Sequence, residues 1–210
     1  MAGVRQFDES EMLAEALGVF WRKGLSATTM QDIAQATGVL RGSLYNAYGG
    51  KEEIFLLAFD AYVGRFLAAI RQAMESRPDP EQALRTLFDA AIASMTSGSP
   101  ARGCLSTKTA TEPAALDDPR LQTRLRGMLD ELRRIVLAAL STDAARARLA
   151  VSPEEAADLV VTFTRGLAVM ERVYRDAGHL ERIAAALVRT LFPDPRRRPV
   201  QSGTKITSTQ

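Results

Sequence analysis

Apolar residues recur at intervals of three and four along nearly the whole chain, and no stretch shows the sustained alternation of apolar and polar residues typical of a strand. The interval is clearest after Lys51, at Ile54, Phe55, Ala58, Phe59, Tyr62, Phe66, Leu67 and Ile70. Because an α-helix completes a turn in about 3.6 residues, these positions share one helical face. The sequence therefore predicts an all-α fold.

Capping residues and helix breakers divide the chain into successive helices. The first helix is expected to begin at Asp8, which opens the sequence D-E-S-E, and to end at Gly24. A second follows the sequence T-T-M-Q that starts at Thr28, a third spans about 40–48, and a long fourth helix begins near Lys51. Further helices are expected over about 80–97, 104–112, 118–140, 152–177 and 180–192.

Composition excludes several classes of protein. Hydrophobic residues make up 46% of the chain and charged residues 25%, which excludes a disordered or collagen-like polymer. No apolar run approaches the roughly 18 residues that span a bilayer, and the N-terminus lacks the apolar core of a secretory signal. A single Cys and a single His exclude an internal disulfide and the usual zinc sites. We therefore expect a cytoplasmic protein with no membrane partner, no metal and no cofactor.

The formal charge does not by itself indicate a nucleic-acid partner. Residues 193–210 carry four basic side chains and one acidic side chain, a net charge of +3. Since the whole chain has a net charge of +2, the rest of the chain has a net charge of −1. Any argument for DNA binding must therefore depend on where individual side chains lie.

Residues 28–48 have the spacing of a helix-turn-helix. Two short helices that cross steeply need a small residue at the crossing, which Ala34 supplies, and a turn residue that tolerates positive φ, which Gly38 supplies. Ile33, Val39 and Leu44 occupy positions that the motif buries against a third helix. A generic helical hairpin would satisfy the same spacing, so this pattern alone leaves the function open.

The residues around this motif resemble a known family. The sequence T-T-M-Q-D-I-A-Q-A-T-G-V-L-R-G-S-L-Y-N-A-Y-G-G-K-E-E-I-F, with F-W-R-K-G-L-S-A ahead of it, is similar to the N-terminal domain of the TetR (tetracycline-repressor-like) family. The resemblance covers roughly residues 8–56. It implies a three-helix DNA-binding domain at 1–52 and a larger helical ligand-binding and dimerisation domain at 53–193. Residues 194–210 form a polar, basic tail whose composition predicts disorder.

The resemblance also implies which residues contact DNA. Thr28 and Thr29 are expected near phosphates, and Lys51 looks like the family's phosphate-contacting lysine. The expected recognition-helix residues are Arg41, Gly42, Ser43, Tyr45, Asn46 and Tyr48. Arg can bind guanine, Asn can bind adenine, and a Tyr hydroxyl suits a phosphate.

Two positions depart from the family pattern. Leu40 stands where a capping Ser is common, and Gly50 replaces the usual polar residue ahead of Lys51. Loss of a good N-cap costs about 0.5–2 kcal/mol, and less with Gly. Leu40 can therefore be either a contact to a thymine methyl group or a simple cost in helix stability.

The last two predicted helices carry regular apolar stripes. Such stripes are common in intramolecular cores, but in chains that resemble this family the last two helices form a four-helix dimer interface. The expected interface residues are Val160, Phe163, Leu167, Tyr174, Leu180, Ile183, Leu187 and Leu191.

The single cysteine lies in the sequence R-G-C-L-S-T-K-T-A-T-E, which resembles a segment of one branch of the family with Lys108 in place of Asn. Some regulators in that branch sense electrophiles or oxidants through a cysteine in this region. Cys104 is expected at a helix start near Arg102 and Lys108, where cations favour the thiolate. The alternative is a small buried core residue.

The effector is poorly defined by the sequence. The candidate pocket residues are Phe59, Phe66, Phe88, Met95, Cys104, Phe163 and Met170, which favour a small apolar or aromatic ligand. Apolar stripes are nevertheless core by default.

The most consistent interpretation is a homodimeric repressor that binds a palindromic operator and is released by a small effector or by modification of Cys104. The alternative is a helical small-molecule-binding protein with little specific DNA binding. No catalytic residues are expected, because nothing in the pattern joins Cys104 to the only histidine, His179, and no phosphate-binding glycine loop is present.

Overall fold

The computed structural model describes residues 7–98 and 101–194, and the regular secondary structure in these ranges is entirely helical. The prediction of an all-α fold is confirmed. The helices are α1 (Glu9–Ala27), α2 (Met30–Thr37), α3 (Arg41–Tyr48), α4 (Lys51–Glu75), α5 (Pro80–Thr96), α6 (Leu105–Ala110), α7 (Pro113–Leu116), α8 (Pro119–Leu140), α9 (Asp143–Arg146), α10 (Pro153–Tyr174) and α11 (Ala177–Leu191).

The described residues bury two apolar clusters, and the long helices α4 and α8 contribute to both. The first cluster joins α1–α3 to the first half of α4 and includes Leu121 and Leu125 of α8. The second cluster joins the end of α4 to α5, α10 and α11. Since α4 runs from Ile54 in the first cluster to Ile70 in the second, it connects the N-terminal helices directly to the rest of the molecule.

Several helix boundaries differ from those expected. Gly24, at φ 83° and ψ 172°, interrupts α1 as its sequence predicts, but one further helical turn follows to Ala27. The capping box of α2 lies one residue later than expected, because Thr29 caps the helix and Asp32 completes the box. The expectation that the penultimate helix continues to residue 177 is wrong, since Arg175 adopts φ 51° and ends α10 at Tyr174.

Two short helices, α7 and α9, have no counterpart in the expected set. Each has only four residues, too few for an apolar period to be recognised in the sequence. Residues 195–210, which contain almost all of the predicted basic tail, lie outside the described residues.

Candidate functional site

Helices α2 and α3 are joined by a tight turn whose geometry depends on Gly38. This residue has φ 65° and ψ 3°, a left-handed conformation that residues with a side chain rarely adopt. Ile33 of α2 and Leu44 of α3 are both 0% exposed and belong to the cluster formed with α1 and α4. The buried faces of the two helices therefore fix α3 on the surface of the N-terminal unit.

The outward face of α3 is polar and has few internal contacts. Arg41, Gly42, Tyr45 and Asn46 are exposed, and Ser43 is half-buried. Within residues 7–98 and 101–194, the side chains of Arg41, Tyr45 and Asn46 make no hydrogen bond or ion pair. These donors are consequently available to an external partner.

Leu40 precedes α3 as its N-cap and is 77% exposed, with no side-chain hydrogen bond to the helix. The sequence therefore identified a real departure from good capping chemistry.

Thr28 does not match the phosphate-contacting role expected for it. Its side chain is 0% exposed, and its hydroxyl donates to the carbonyl oxygen of Gly24 at 2.6 Å. Thr29 is exposed, but its hydroxyl participates in the capping box with Asp32. Thr28 is thus a structural residue of the α1–α2 junction.

Tyr48 is also turned inward, in contrast to the expectation that it belongs to the DNA-binding set. Only 8% of its surface is exposed, and its hydroxyl donates to the carboxylate of Glu9 at 3.1 Å. It lies seven residues after Arg41, on the α3 face that packs against α1, so the sequence position alone did not separate it from its outward neighbours.

Lys51 makes a different contact from the one expected. Its Nζ donates to the carbonyl oxygens of Leu25, Ser26 and Thr28, at 2.9, 3.1 and 2.8 Å. An ammonium group at a helix C-terminus satisfies carbonyls that have no partner within the helix. The first function of this side chain is therefore to hold the last turn of α1 against the start of α4.

Helix α6 and the residue before α7 bind the same part of α1 from another side. Lys108 Nζ donates to the carbonyl oxygens of Trp21 and Arg22, at 2.8 and 3.1 Å. The carboxylate of Glu112 accepts from the backbone N–H groups of Leu25 at 3.1 Å and Ser26 at 2.6 Å. The pKa of Glu112 is lowered, because these hydrogen bonds outweigh the opposing effect of burial. Nothing in the sequence pattern indicated these contacts, since their partners lie more than 80 positions apart.

A cavity of about 1130 Å³ opens between α1, α4, α5, α6 and α10. Its apolar wall includes Leu17, Trp21, Phe66 and Ile70. Six cationic side chains also line it: Arg22, Arg65, Arg102, Lys108, Arg172 and Arg175. Among the described residues of the lining, Glu171 has the one carboxylate, and it is 3% exposed.

Most of the residues expected to line an effector pocket do not line this cavity. Of the seven candidates only Phe66 and Cys104 line it. Phe59, Phe88 and Met95 are at most 4% exposed and belong to the apolar clusters, while Met170 faces outward. Phe163 packs edge-on against Phe88, with ring centroids 5.9 Å apart. The lining is therefore more highly charged than the apolar residues expected from the sequence.

Cys104 lies at the N-cap of α6, but the cation beside it differs from those expected. The guanidinium Nη1 of Arg165 is 3.7 Å from the Cys104 Sγ and donates to the Ser106 hydroxyl at 2.7 Å. Burial raises the pKa of the Cys104 thiol, but the charge of Arg165 and the hydrogen bond with Ser106 outweigh it, and the pKa is lowered overall. Arg165 lies 61 positions later in the chain, which is why sequence proximity pointed to other cations.

Tyr62 completes this polar cluster. It is 7% exposed, and burial is the main cause of a strong rise in the pKa of its phenol, to which the neighbouring Cys104 also contributes. Tyr62 and Cys104 both line the cavity, so a molecule bound there would meet the thiol.

Helix α10 shows that the expected dimer interface is partly wrong. Val160, Leu167, Leu180 and Leu191 are at most 1% exposed inside the protomer, while Phe163, Ile183 and Leu187 pack partly against the same core. Among the expected residues only Tyr174 is well exposed, at 59%. The remaining exposed apolar residues of α10 are Leu159, Val169, Met170 and Val173. The apolar stripe of α10 that the sequence predicted as an interface thus packs against α5 and α8 of the same protomer. The exposed apolar residues form a second stripe beside it.

Neither a membrane span nor a metal-binding cluster occurs in the described part of the chain. No helix there is both long enough and apolar enough to cross a membrane. No group of three or more potential metal ligands occurs among the same residues.

Comparison with known families matches the two parts of the chain separately. Residues 12–58 match the family model of bacterial regulatory proteins of the tetR family. Residues 80–187, about half of the chain, match the tetracyclin repressor-like C-terminal domain.

Curated relatives and solved structures agree with these matches. The chain is 30% identical over 117 residues to the uncharacterized HTH-type transcriptional regulator YezE of Bacillus subtilis, covering 56% of this chain and 60% of that protein. It is 32% identical over 106 residues to the HTH-type transcriptional repressor ComR of Escherichia coli, covering 50% of each. The chain thus spans about half the length of the curated relatives it matches.

Among solved structures, a cysteine-substituted form of the TetR family regulator CifR in complex with a 26-base-pair operator DNA has a TM-score of 0.78 at 24% identity, covering 90% of this chain and all of that one. The reduced form of Escherichia coli NemR has the same TM-score at 15% identity, covering 89% and 97%. These similarities concern the fold. Together with the two family models, they show that the chain belongs to the TetR family of transcriptional regulators.

Proposed function

We propose that the protein is a homodimeric, cytoplasmic repressor that binds a palindromic DNA operator through α3 and is released by a small molecule or by modification of Cys104. The observation that carries this proposal is the outward face of α3, where Arg41, Tyr45 and Asn46 are exposed and have no partner among the described residues. A family composed of transcriptional regulators also supports a function other than catalysis.

The chemistry of this face suits duplex DNA. Arg41 can donate two hydrogen bonds to guanine, Asn46 can bind adenine, and the Tyr45 hydroxyl can reach a phosphate. Gly42 adds a side-chain-free position at which the DNA backbone can approach α3 closely. The operator complex of CifR, which has the same fold, supports DNA binding by this chain.

Dimerisation would use the outward apolar stripe of α10. Leu159, Val169, Met170, Val173 and Tyr174 are between 38% and 68% exposed in the protomer. If a second copy of the chain packed against this stripe, most of the exposed large hydrophobic residues among the described residues would be buried. A symmetric pair would also present two recognition helices to half-sites about one DNA turn apart.

Release of DNA would pass through the contacts between α6 and α1. The cavity is lined by Lys108, whose ammonium group holds carbonyl oxygens of α1, and Glu112 holds the backbone just after Gly24. Lys51 then connects that turn to the start of α4, directly after the recognition helix. A ligand that binds better to a second arrangement of these helices would lower DNA affinity.

Cys104 supplies a second route to the same junction. Its thiolate, favoured by the adjacent Arg165, can add to the β-carbon of an α,β-unsaturated carbonyl compound. The carbon–sulfur bond forms as the carbon–carbon π bond breaks, and the α-carbon takes a proton from water. The added group would occupy the cavity next to α6.

Selection of bound sequences from random duplex DNA by the purified protein tests the proposal. A pseudo-palindrome with half-sites about one helical turn apart would support a dimeric DNA-binding regulator. If protein refolded without ligand enriches no sequence at moderate salt, the proposal fails, and a small-molecule-binding protein with little DNA binding becomes the better explanation.

A further inference from the structure

We infer that the cavity takes an amphipathic organic anion, with its anionic group among the arginines and its apolar body against Trp21 and Phe66. This inference names the effector class for the proposed function and rests on it only where regulation of DNA binding is concerned.

The charge of the lining is strongly unbalanced. Six cations face one carboxylate, that of Glu171. Arg22, Arg65, Arg172 and Arg175 form no ion pair with any described carboxylate, whereas most other arginines of the described chain do. Like charges brought together without counter-charges repel each other, so an anion bound there would relieve that repulsion.

The two remaining cations of the lining are held by uncharged partners. Arg102 lies over the Trp21 ring, 5.8 Å from its centroid, and Lys108 donates only to uncharged carbonyl oxygens. Burial lowers the pKa of Lys108, and the neighbouring positive charge of Arg172 lowers it further, against the opposing effect of the Glu112 carboxylate. Lys108 therefore already experiences electrostatic repulsion from another cation of the lining, Arg172.

The other part of the lining requires an apolar body. Leu17, Phe66 and Ile70 contribute hydrocarbon surface, and Trp21 contributes an aromatic ring whose indole N–H has no hydrogen-bond partner among the described residues. A small inorganic ion would leave this surface in contact with water. The cavity volume of about 1130 Å³ leaves room for a chain or ring system attached to the anionic group.

Trp21 is the only tryptophan of the chain, so its fluorescence reports on this wall of the cavity alone. The experiment titrates the purified full-length protein with four probes: octanoate, 1-octanol, octylamine and inorganic phosphate. Octanoate is expected to change the fluorescence saturably and to bind at least ~10-fold more tightly than each of the other three.

A charge-removal variant makes the test specific. Arg65→Gln combined with Arg172→Gln removes two unpaired cations of the cavity and is expected to weaken octanoate binding at least ~10-fold, with 1-octanol binding unchanged. Arg77→Gln, which removes an exposed cation outside the lining, should leave octanoate binding as it is. Circular dichroism checks that the variants are folded.

Equal or tighter binding of 1-octanol or octylamine overturns the inference, as does equal binding of phosphate or an unchanged octanoate affinity in the double variant. These titrations contain no DNA, so they are independent of operator binding. A protein that prefers octanoate but selects no DNA supports the inference and refutes the proposed function, and a protein that selects DNA but prefers 1-octanol does the reverse.

Discussion

The carboxylate of Glu112 accepts the backbone N–H of Ser26 at 2.6 Å, across 86 positions of the sequence. Ser26 lies in the helical turn after the interruption of α1 at Gly24, where backbone N–H groups have no partner within the helix. The contact therefore stabilises an irregular point of the N-terminal helical unit with a side chain from the tetracyclin repressor-like C-terminal domain.

Replacing Glu112 with Gln should lower the free energy of unfolding by about 1 kcal/mol at pH 7, because one charged acceptor of two backbone hydrogen bonds is lost. The pKa of Glu112 is lowered in the folded protein, so its stabilising contribution is complete above the ordinary value of 4.5 and is lost as the pH falls through the lower folded value. Urea unfolding should accordingly show a smaller difference between wild type and variant in acid than at pH 7. Glu75→Gln, at an exposed carboxylate without a hydrogen bond, serves as the control, and an equal effect in both variants would contradict the assignment.

Gly42→Ala should weaken operator binding at least ~10-fold without loss of stability. A Cβ at this position would meet no atom within 4 Å, and Ala favours a helix over Gly by up to about 1 kcal/mol. Any loss of affinity therefore reports close approach of DNA. Gly127→Ala, at an equally open position of α8, is the matched control for the helix effect. Affinity can be measured by fluorescence anisotropy. Normal operator binding by Gly42→Ala would contradict a close approach of DNA to α3 at this position.

Lys51→Met should lower the free energy of unfolding by about 1–3 kcal/mol, because three carbonyl oxygens at the end of α1 lose their charged donor. A lysine that only contacted phosphate would show no such loss. Thermal and urea unfolding of the DNA-free protein measure the effect. Lys23→Met, which removes an exposed pair with Asp32, should cost less than about 1 kcal/mol.

The Cys104 thiol should react with iodoacetamide with a pH midpoint below its ordinary value of 9.0, since the neighbouring Arg165 charge lowers its pKa. Arg165→Met should move that midpoint upward, because burial would then act unopposed by the guanidinium. Because Cys104 is the only cysteine, the extent of labelling measured by mass spectrometry reports on this site alone. Arg189→Met, at an exposed residue of α11, should leave the profile unchanged.

Val173→Glu should convert a dimer into folded monomers. Val173 is 68% exposed in the protomer, so a charge there costs little until a second copy covers it. Leu167→Glu, one position of the expected stripe that is 1% exposed, should instead unfold the chain. Sedimentation equilibrium and circular dichroism separate the two results. Leu40→Glu, at another exposed apolar residue, controls for surface charge, and a dimeric Val173→Glu would argue against the α10 interface.

The sequence was sufficient for features that depend on neighbouring residues. Helix spacing, the turn at Gly38 and the poor cap at Leu40 are local, and each is visible within a few positions of the chain. The a/d stripe of α10 was visible as well, but its spacing does not say whether Leu167 faces another helix of the same protomer or a second copy. The partner of a stripe is a tertiary property.

The cavity could not be predicted for the same reason. Its cations come from α1, α4, α6, the residues before α6 and the end of α10. No single segment of the sequence therefore contains a cluster of them that would predict the cavity. Arg165 reaches Cys104 from 61 positions away, and Glu112 reaches Ser26 from 86. Apolar candidates such as Phe88 were favoured because aromatic residues stand out in a sequence, although their usual place is the core.

The interruption of α1 at Gly24 leaves carbonyl groups before it and N–H groups after it, and Lys108 and Glu112 satisfy them from a single stretch of chain. The positive Lys108 thus binds carbonyl groups before Gly24, and the negative Glu112, four positions later, binds N–H groups after it. The number of residues between Lys108 and Glu112 is therefore constrained more tightly than their identity. Among natural or engineered variants, substitutions at the exposed positions 110 and 111 should be tolerated far more often than insertions or deletions there.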